Sequence, residues 1–121
     1  MGQFSIEFYQ APNGSYPAKD FLESQDVKMR AKLERQLYLL QEVGNALREP
    51  ESKFLSDGIF EIRAKQGSDI TRILYFFFIG KKIILTNGFV KKTDKTPQKE
   101  IDKAKKYKAD YEQRRGASDG I

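Results

Sequence analysis

Arg63, Arg72 and the pair Lys91-Lys92 are the residues whose type and spacing point to chemistry. They lie in a segment, 63–99, that carries nine Lys or Arg (63, 65, 72, 81, 82, 91, 92, 95 and 99) against two acids, Asp69 and Asp94. The first 62 residues hold seven basic and ten acidic side chains, so the remainder supplies +8 toward a total of +5. Positive charge gathered in one region raises the local concentration of an anion and speeds its association, which points to a polyanionic ligand. A guanidinium stays charged and binds two phosphate oxygens at once, so a fixed Arg can stabilise the charge that grows on a phosphate under attack. The chain has no cysteine and no histidine. Disulfide and thiolate sites are excluded, zinc loses its usual ligands, and acid–base work falls to a perturbed Lys, Tyr or carboxylate. Two carboxylates in the basic segment are too few for a two-metal nuclease, so neither a metal nor a cofactor is expected.

Hairpin register brings these groups together. Centring one hairpin between Gly67 and Ser68 and the next between Gly80 and Lys81 sets Arg63 across from Arg72, Arg72 across from Phe89, and Ile70 across from Lys91. Opposed residues share a sheet face, as do neighbours two apart, so Arg63, Lys65, Arg72, Phe89 and Lys91 are expected to converge. Like charges directly opposite cost about 0.2–1 kcal/mol in a sheet, which calls for an anion or a carboxylate between them. Glu61, two residues before Arg63, has the position to supply it. The plainer alternative is a structural Arg–Glu pair at a wet sheet edge. The stretch Lys91-Lys92-Thr93-Asp94-Lys95-Thr96-Pro97 adds three ammonium groups where a strand passes into a helix N-terminus, whose N–H groups and dipole also favour anions. Lys99 and the lysines at 103, 105, 106 and 108 either extend that track or form a solvated helix face. Tyr75, Phe76, Phe77 and Phe78 read mostly as core, whereas Phe89 beside Arg72 is the better candidate to stack on a base.

The elements that must position this constellation follow from periodicity. Alternation over residues 4–9 predicts a strand before the turn Pro12-Asn13-Gly14. Pro17 starts a short helix, Ser24 reads as the N-cap of the next, and Val27, Leu33, Leu37, Leu40 and Val43 form the stripe of a long helix stopped by Gly44. After the turn Asp57-Gly58, strands are expected over 59–65, 70–79 and 82–91. Thr96-Pro97 opens a last helix with Ile101, Ala104, Tyr107 and Tyr111 on its apolar stripe. The order β-α-α-β-β-β-α is an α+β domain, with helices packed on one face of a mainly antiparallel sheet and the other face open. Residues 1–115 are read as one domain and 116–121 as a loose tail, with no signal peptide or membrane span, so a cytoplasmic location is expected.

Three blocks then carry a resemblance. Leu55-x-x-Gly58-Ile59-Phe60-Glu61-Ile62-Arg63, Arg72-Ile73-Leu74-Tyr75-Phe76-Phe77 and Gly88-Phe89-Val90-Lys91-Lys92-Thr93-x-Lys95-Thr96-Pro97, in this order and spacing, resemble the phage-derived HigB branch of the RelE/ParE toxin superfamily. The resemblance implies a RelE-like α+β fold and a type II toxin that cleaves messenger RNA, usually on the translating ribosome, held inactive by a HigA-like helix-turn-helix antitoxin. By position it makes Arg63 and Arg72 catalytic, with Lys91 or Lys92 as the basic group after the final strand, and leaves Lys65, Phe89, Lys95 and Lys99 to bind RNA. Arg72 is the expected transition-state stabiliser, Arg63 the holder of a flanking phosphate, and Lys91 the expected base, with Lys92 and Lys95 as the alternatives. Glu61 stands where the RelE branch has a Lys, and Thr96-Pro97 where that branch uses a Tyr. The rival functions are a ParE-like inhibitor of DNA gyrase and a non-catalytic nucleic-acid-binding module.

Overall fold

The computed structural model describes residues 4–91 and 95–119. Its elements are β1 (Ser5–Phe8), α1 (Pro17–Ser24), α2 (Val27–Val43), a 3-10 turn (Gly44–Ala46), β2 (Ser52–Ser56), β3 (Ile59–Gln66), β4 (Asp69–Phe78), β5 (Lys82–Lys91) and α3 (Gln98–Asp119). The five strands form one sheet in the order β1-β5-β4-β3-β2. β1 runs parallel to β5 and every other pair is antiparallel. The expected mixed α+β class is found, with β2 as an added strand beside β3. Helix α3 continues to Asp119, so the stretch read as a tail from Gly116 is helical backbone for most of its length.

α2 is capped by Asp26, whose side chain accepts a hydrogen bond from the Met29 N–H at 2.8 Å, rather than by Ser24. Met29, Leu33, Leu37 and Leu40 face the sheet while Val27 is 75% exposed, because at about 100° per residue Val27 points well away from the side those four share. At the far end Gly44 takes φ of +55°, and a Cβ there would run into the Phe4 ring.

The expectation that helices cover a single face is corrected. α1 and α2 pack on Ile62, Ala64, Ile73, Tyr75, Ile83 and Leu85. α3 packs on the opposite face, where Ala104 and Tyr111 meet Ile59, Leu74, Phe76 and Ile84. The cause is legible in β4, which is apolar on both sides from Ile73 to Phe78; leaving Leu74 and Phe76 in water would forfeit about 1.5–3 kcal/mol each. Hydroxyls and charges pin the far end of α3. Tyr9 donates to Asp110 at 2.7 Å, Arg114 donates to Asp110 at 2.6 Å and to the Gln10 carbonyl at 2.5 Å, and Arg115 donates to Glu7 at 2.9 Å. Burial and the Asp110 carboxylate push the Tyr9 phenol up to about 12. Among the described residues no helix is long and apolar enough to cross a membrane.

Candidate nucleic-acid interface

Register is what builds this site. β3 and β4 pair with Arg63 opposite Arg72 and Gln66 opposite Asp69, as the sequence predicts. The β4–β5 hairpin instead closes with Phe78 opposite Lys82, one residue off the expected centring. A bulge in β5 at Thr86, where Leu74 faces Asn87 but Tyr75 faces Leu85, restores the expected pairs from there on. Thr86 fixes the bulge by donating its hydroxyl to the Leu74 carbonyl at 3.1 Å. Beyond it Arg72 faces Phe89 and Ile70 faces Lys91, so Asn87, Phe89, Arg72 and Arg63 share the α3 side of the sheet.

The two opposed arginines are reconciled by Glu61 and Thr96. Arg63 donates from Nε to Glu61 Oε2 at 2.6 Å, the Thr96 hydroxyl donates to Glu61 Oε1, and Arg72 donates from Nη1 to Thr96 Oγ1 at 3.2 Å. Glu61 and Arg72 are both 0% exposed, so a carboxylate and a guanidinium lie in the interior, where hydrogen bonds such as these stand in for water. The sequence places Thr96 at the opening of α3, and its hydroxyl is the hub joining β3, β4 and the approach to that helix. Next to it Asn87 donates from Nδ2 to Glu100 Oε1 at 3.0 Å and to the Glu100 carbonyl at 3.3 Å, tying the first turn of α3 to β5. Asn87 and Glu100 are not among the residues the sequence singles out, although Asn87 sits two residues before Phe89 and on its face.

This geometry corrects the expectation that Arg72 faces an open sheet. Thr96 and the start of α3 lie over it, because the apolar stripe of α3 draws the chain back across β4 and β5. Arg63 is the arginine that reaches the surface. Its side chain is 19% exposed, and its guanidinium makes one hydrogen bond among the described residues, through Nε, leaving the Nη groups on the solvent side. Lys65 is exposed two residues further along the same face. Lys95 and Lys99 are exposed beyond Thr96. Phe89 is half-buried against the α3-side core, which leaves only part of its ring for stacking. The backbone of Lys91 ends β5 opposite Ile70, while Lys92 lies outside the described residues, as do Thr93 and Asp94.

The arrangement can hold an anion at the outer rim of the β3–β4 hairpin, with one guanidinium fixed by a buried carboxylate and an ammonium at its side. Residues 20–109 match the family described as phage derived protein Gp49-like (DUF891), a span running from within α1 into α3. No curated protein sequence matches the chain significantly. The basic hairpin rim and its buried Glu61–Thr96–Arg72 network are thus features of a chain that belongs to the Gp49-like family, within the RelE/ParE-like toxin superfamily.

Proposed function

We propose that the chain is the toxin of a type II toxin–antitoxin pair, of the HigB kind, which cleaves messenger RNA on the ribosome and is neutralised by a HigA-like helix-turn-helix antitoxin. Family membership supports the toxin class. The observation that carries the nuclease reading is the Arg63 guanidinium, pinned through Nε to buried Glu61 with its Nη groups outward beside Lys65. In metal-free cleavage the ribose 2′-hydroxyl attacks its own phosphate in line, giving a 2′,3′-cyclic phosphate and a 5′-hydroxyl. Negative charge grows on the phosphate oxygens, and a pre-oriented guanidinium stabilises it without reorganising. Arg63 takes that role in place of Arg72. Buried Arg72 is a positioning residue, acting through Thr96 on the carboxylate that aims Arg63. Lys91 or Lys92 takes the 2′ proton, and a proton from solvent completes the departing 5′-hydroxyl. Lys65, Lys95 and Lys99 hold flanking phosphates, and the open part of Phe89 rests against a base.

One observation favours a second reading, a module that holds phosphate without cutting it: Glu61 neutralises much of Arg63, and Arg72 is out of reach of a ligand. Mapping new 5′-hydroxyl ends by primer extension after brief induction in bacteria decides between them. The nuclease reading expects discrete ends within translated messages, lost in Arg63→Lys, which keeps the charge beside Glu61 but not the planar fork. Growth arrest with intact messages and DNA-damage signalling would assign the chain to gyrase inhibition and overturn the proposal.

A further inference from the structure

The sheet edge beside Arg63 carries a second basic surface, which shares Arg63 and Lys65 with the proposed site and adds Lys32 and Arg35 of α2. β2 begins with Ser52 opposite Ile62, so β3 from Arg63 onward has no strand on its outer side. Helix α2 covers the bare carbonyls instead: Gln36 Nε2 donates to the Arg63 carbonyl at 2.8 Å and Lys32 Nζ donates to the Lys65 carbonyl at 2.9 Å. A groove of about 530 Å³ runs along this edge, and its charged lining is Lys32, Arg35, Arg63 and Lys65 against Glu51 alone. The Glu51 carbonyl accepts the Arg63 N–H at 2.9 Å, and its carboxylate is the one negative charge in the lining. Arg35 and Lys65 make no ion pair among the described residues, and Lys32 keeps two ammonium protons beyond the one it donates.

Arg63 belongs to both surfaces, since it lines the groove and faces the α3 side of the sheet. An anionic chain lying at Arg63 therefore meets positive charge continuously when it turns over the edge of β3. We infer that this groove holds the RNA backbone on one side of the phosphate at Arg63, with Lys32 and Arg35 of α2 contacting consecutive phosphates. The inference rests on the RNA-directed reading above and extends its footprint to the opposite face of the sheet. A protein strand adding to the same edge fits less well, because it would have to displace both side-chain hydrogen bonds that already satisfy the β3 carbonyls.

The test is fluorescence anisotropy with a labelled, fully 2′-O-methylated RNA oligonucleotide, which cannot undergo 2′-hydroxyl attack, titrated over a range of salt. Each phosphate contact to a single strand contributes about 0.7 to the slope of log affinity against log salt. Lys32→Gln/Arg35→Gln is expected to lower that slope by about 1.4, which is about 25-fold in affinity at 0.1 M salt relative to a 1 M reference. Lys32→Arg keeps the charge and is expected to bind as wild type, which separates lost charge from lost folding. Lys19→Gln/Lys81→Gln removes two exposed charges far from the groove and serves as the control. A groove double variant whose slope matches this control overturns the inference. If binding falls in Glu61→Gln/Arg63→Gln but not in the groove variant, the groove fails and the site at Arg63 stands; binding insensitive to both overturns the reading beneath it. A labelled polyglutamate peptide that binds more tightly than the RNA and loses affinity in the groove variant would assign the edge to an acidic protein segment, again overturning the inference.

Discussion

Thr96→Val removes the hydroxyl that joins Glu61 to Arg72 while keeping the shape of the side chain. Thr96 is 7% exposed and its two hydrogen bonds both involve charged groups, so water does not readily replace them. Hydrogen bonds to charged groups contribute about 1.5–3 kcal/mol each, and a buried carboxylate oxygen that loses its donor keeps its full desolvation cost. The two bonds share one atom and are not additive, so a net loss of about 3–5 kcal/mol is expected, less the small gain from an extra methyl. For 121 residues the unfolding entropy is about 0.25 kcal/mol/K, which converts this loss into a fall in Tm of about 12–20 °C. Urea unfolding followed by circular dichroism, with calorimetry for Tm, measures it. Thr96→Ser keeps the hydroxyl and should lose only about 1 kcal/mol, the worth of one methyl. A Thr96→Val protein within about 0.5 kcal/mol of wild type, or a Ser variant as unstable as the Val variant, would show that the hub holds nothing together.

Arg72→Met exchanges a buried cation for an apolar chain and takes a donor from Thr96, and about 1.5–3 kcal/mol of stability should be lost in the same urea assay. Gly44→Ala forces an L side chain into φ of +55° and against the Phe4 ring, so a loss of about 2 kcal/mol or more is expected by thermal melting. Tyr9 keeps its proton in the folded state up to about 12 against 10.0 unfolded, so between those values the unfolded chain binds fewer protons and stability falls as pH rises. The loss is about 1–2 kcal/mol after allowance for solvent screening. Tyr9→Phe should flatten that alkaline slope without removing it, because burial also raises Tyr75 and Tyr111.

What could be read ahead of the structure was set by local chemistry. The helices announced themselves through Pro17, Gly44 and Thr96-Pro97, and the first hairpin through Gly67. The expected pairing of Arg72 with Phe89 is found for a reason the expectation lacked: the hairpin turn sits one residue off, and the bulge at Thr86 makes up the difference. Nothing in a single strand marks such a bulge, since Thr86 looks like any β-branched residue until its hydroxyl is seen on the Leu74 carbonyl. β2 escaped notice because Lys53 and Phe54 are both exposed and its alternation is weak. The open face expected above Arg72 is absent because the stripe of α3 belongs to the side of the sheet opposite α2. The contrary signal was present in β4, where Leu74 and Phe76 alternate with Ile73 and Tyr75 and each set needs its own cover.

That cover changes which residue can do what. Among the described residues the cluster sets two guanidinium groups around one carboxylate, and the fold decides which of the two meets solvent. Arg72 is fully buried, and among the described residues Glu61 accepts from Arg63 only through Nε, so the Nη groups of Arg63 remain for a ligand. Binding and aiming become separable. Substituting Thr96 or Arg72 should disturb the orientation of Arg63 while leaving the exposed charge in place, so the salt dependence of RNA binding should survive where cleavage does not. Lys65 and the groove cations should behave in the reverse way, altering the salt slope while leaving the cleavage positions unchanged. A protein in which both classes of substitution moved both quantities together would have its phosphate contacts spread through the interior network, which the burial of Arg72 forbids.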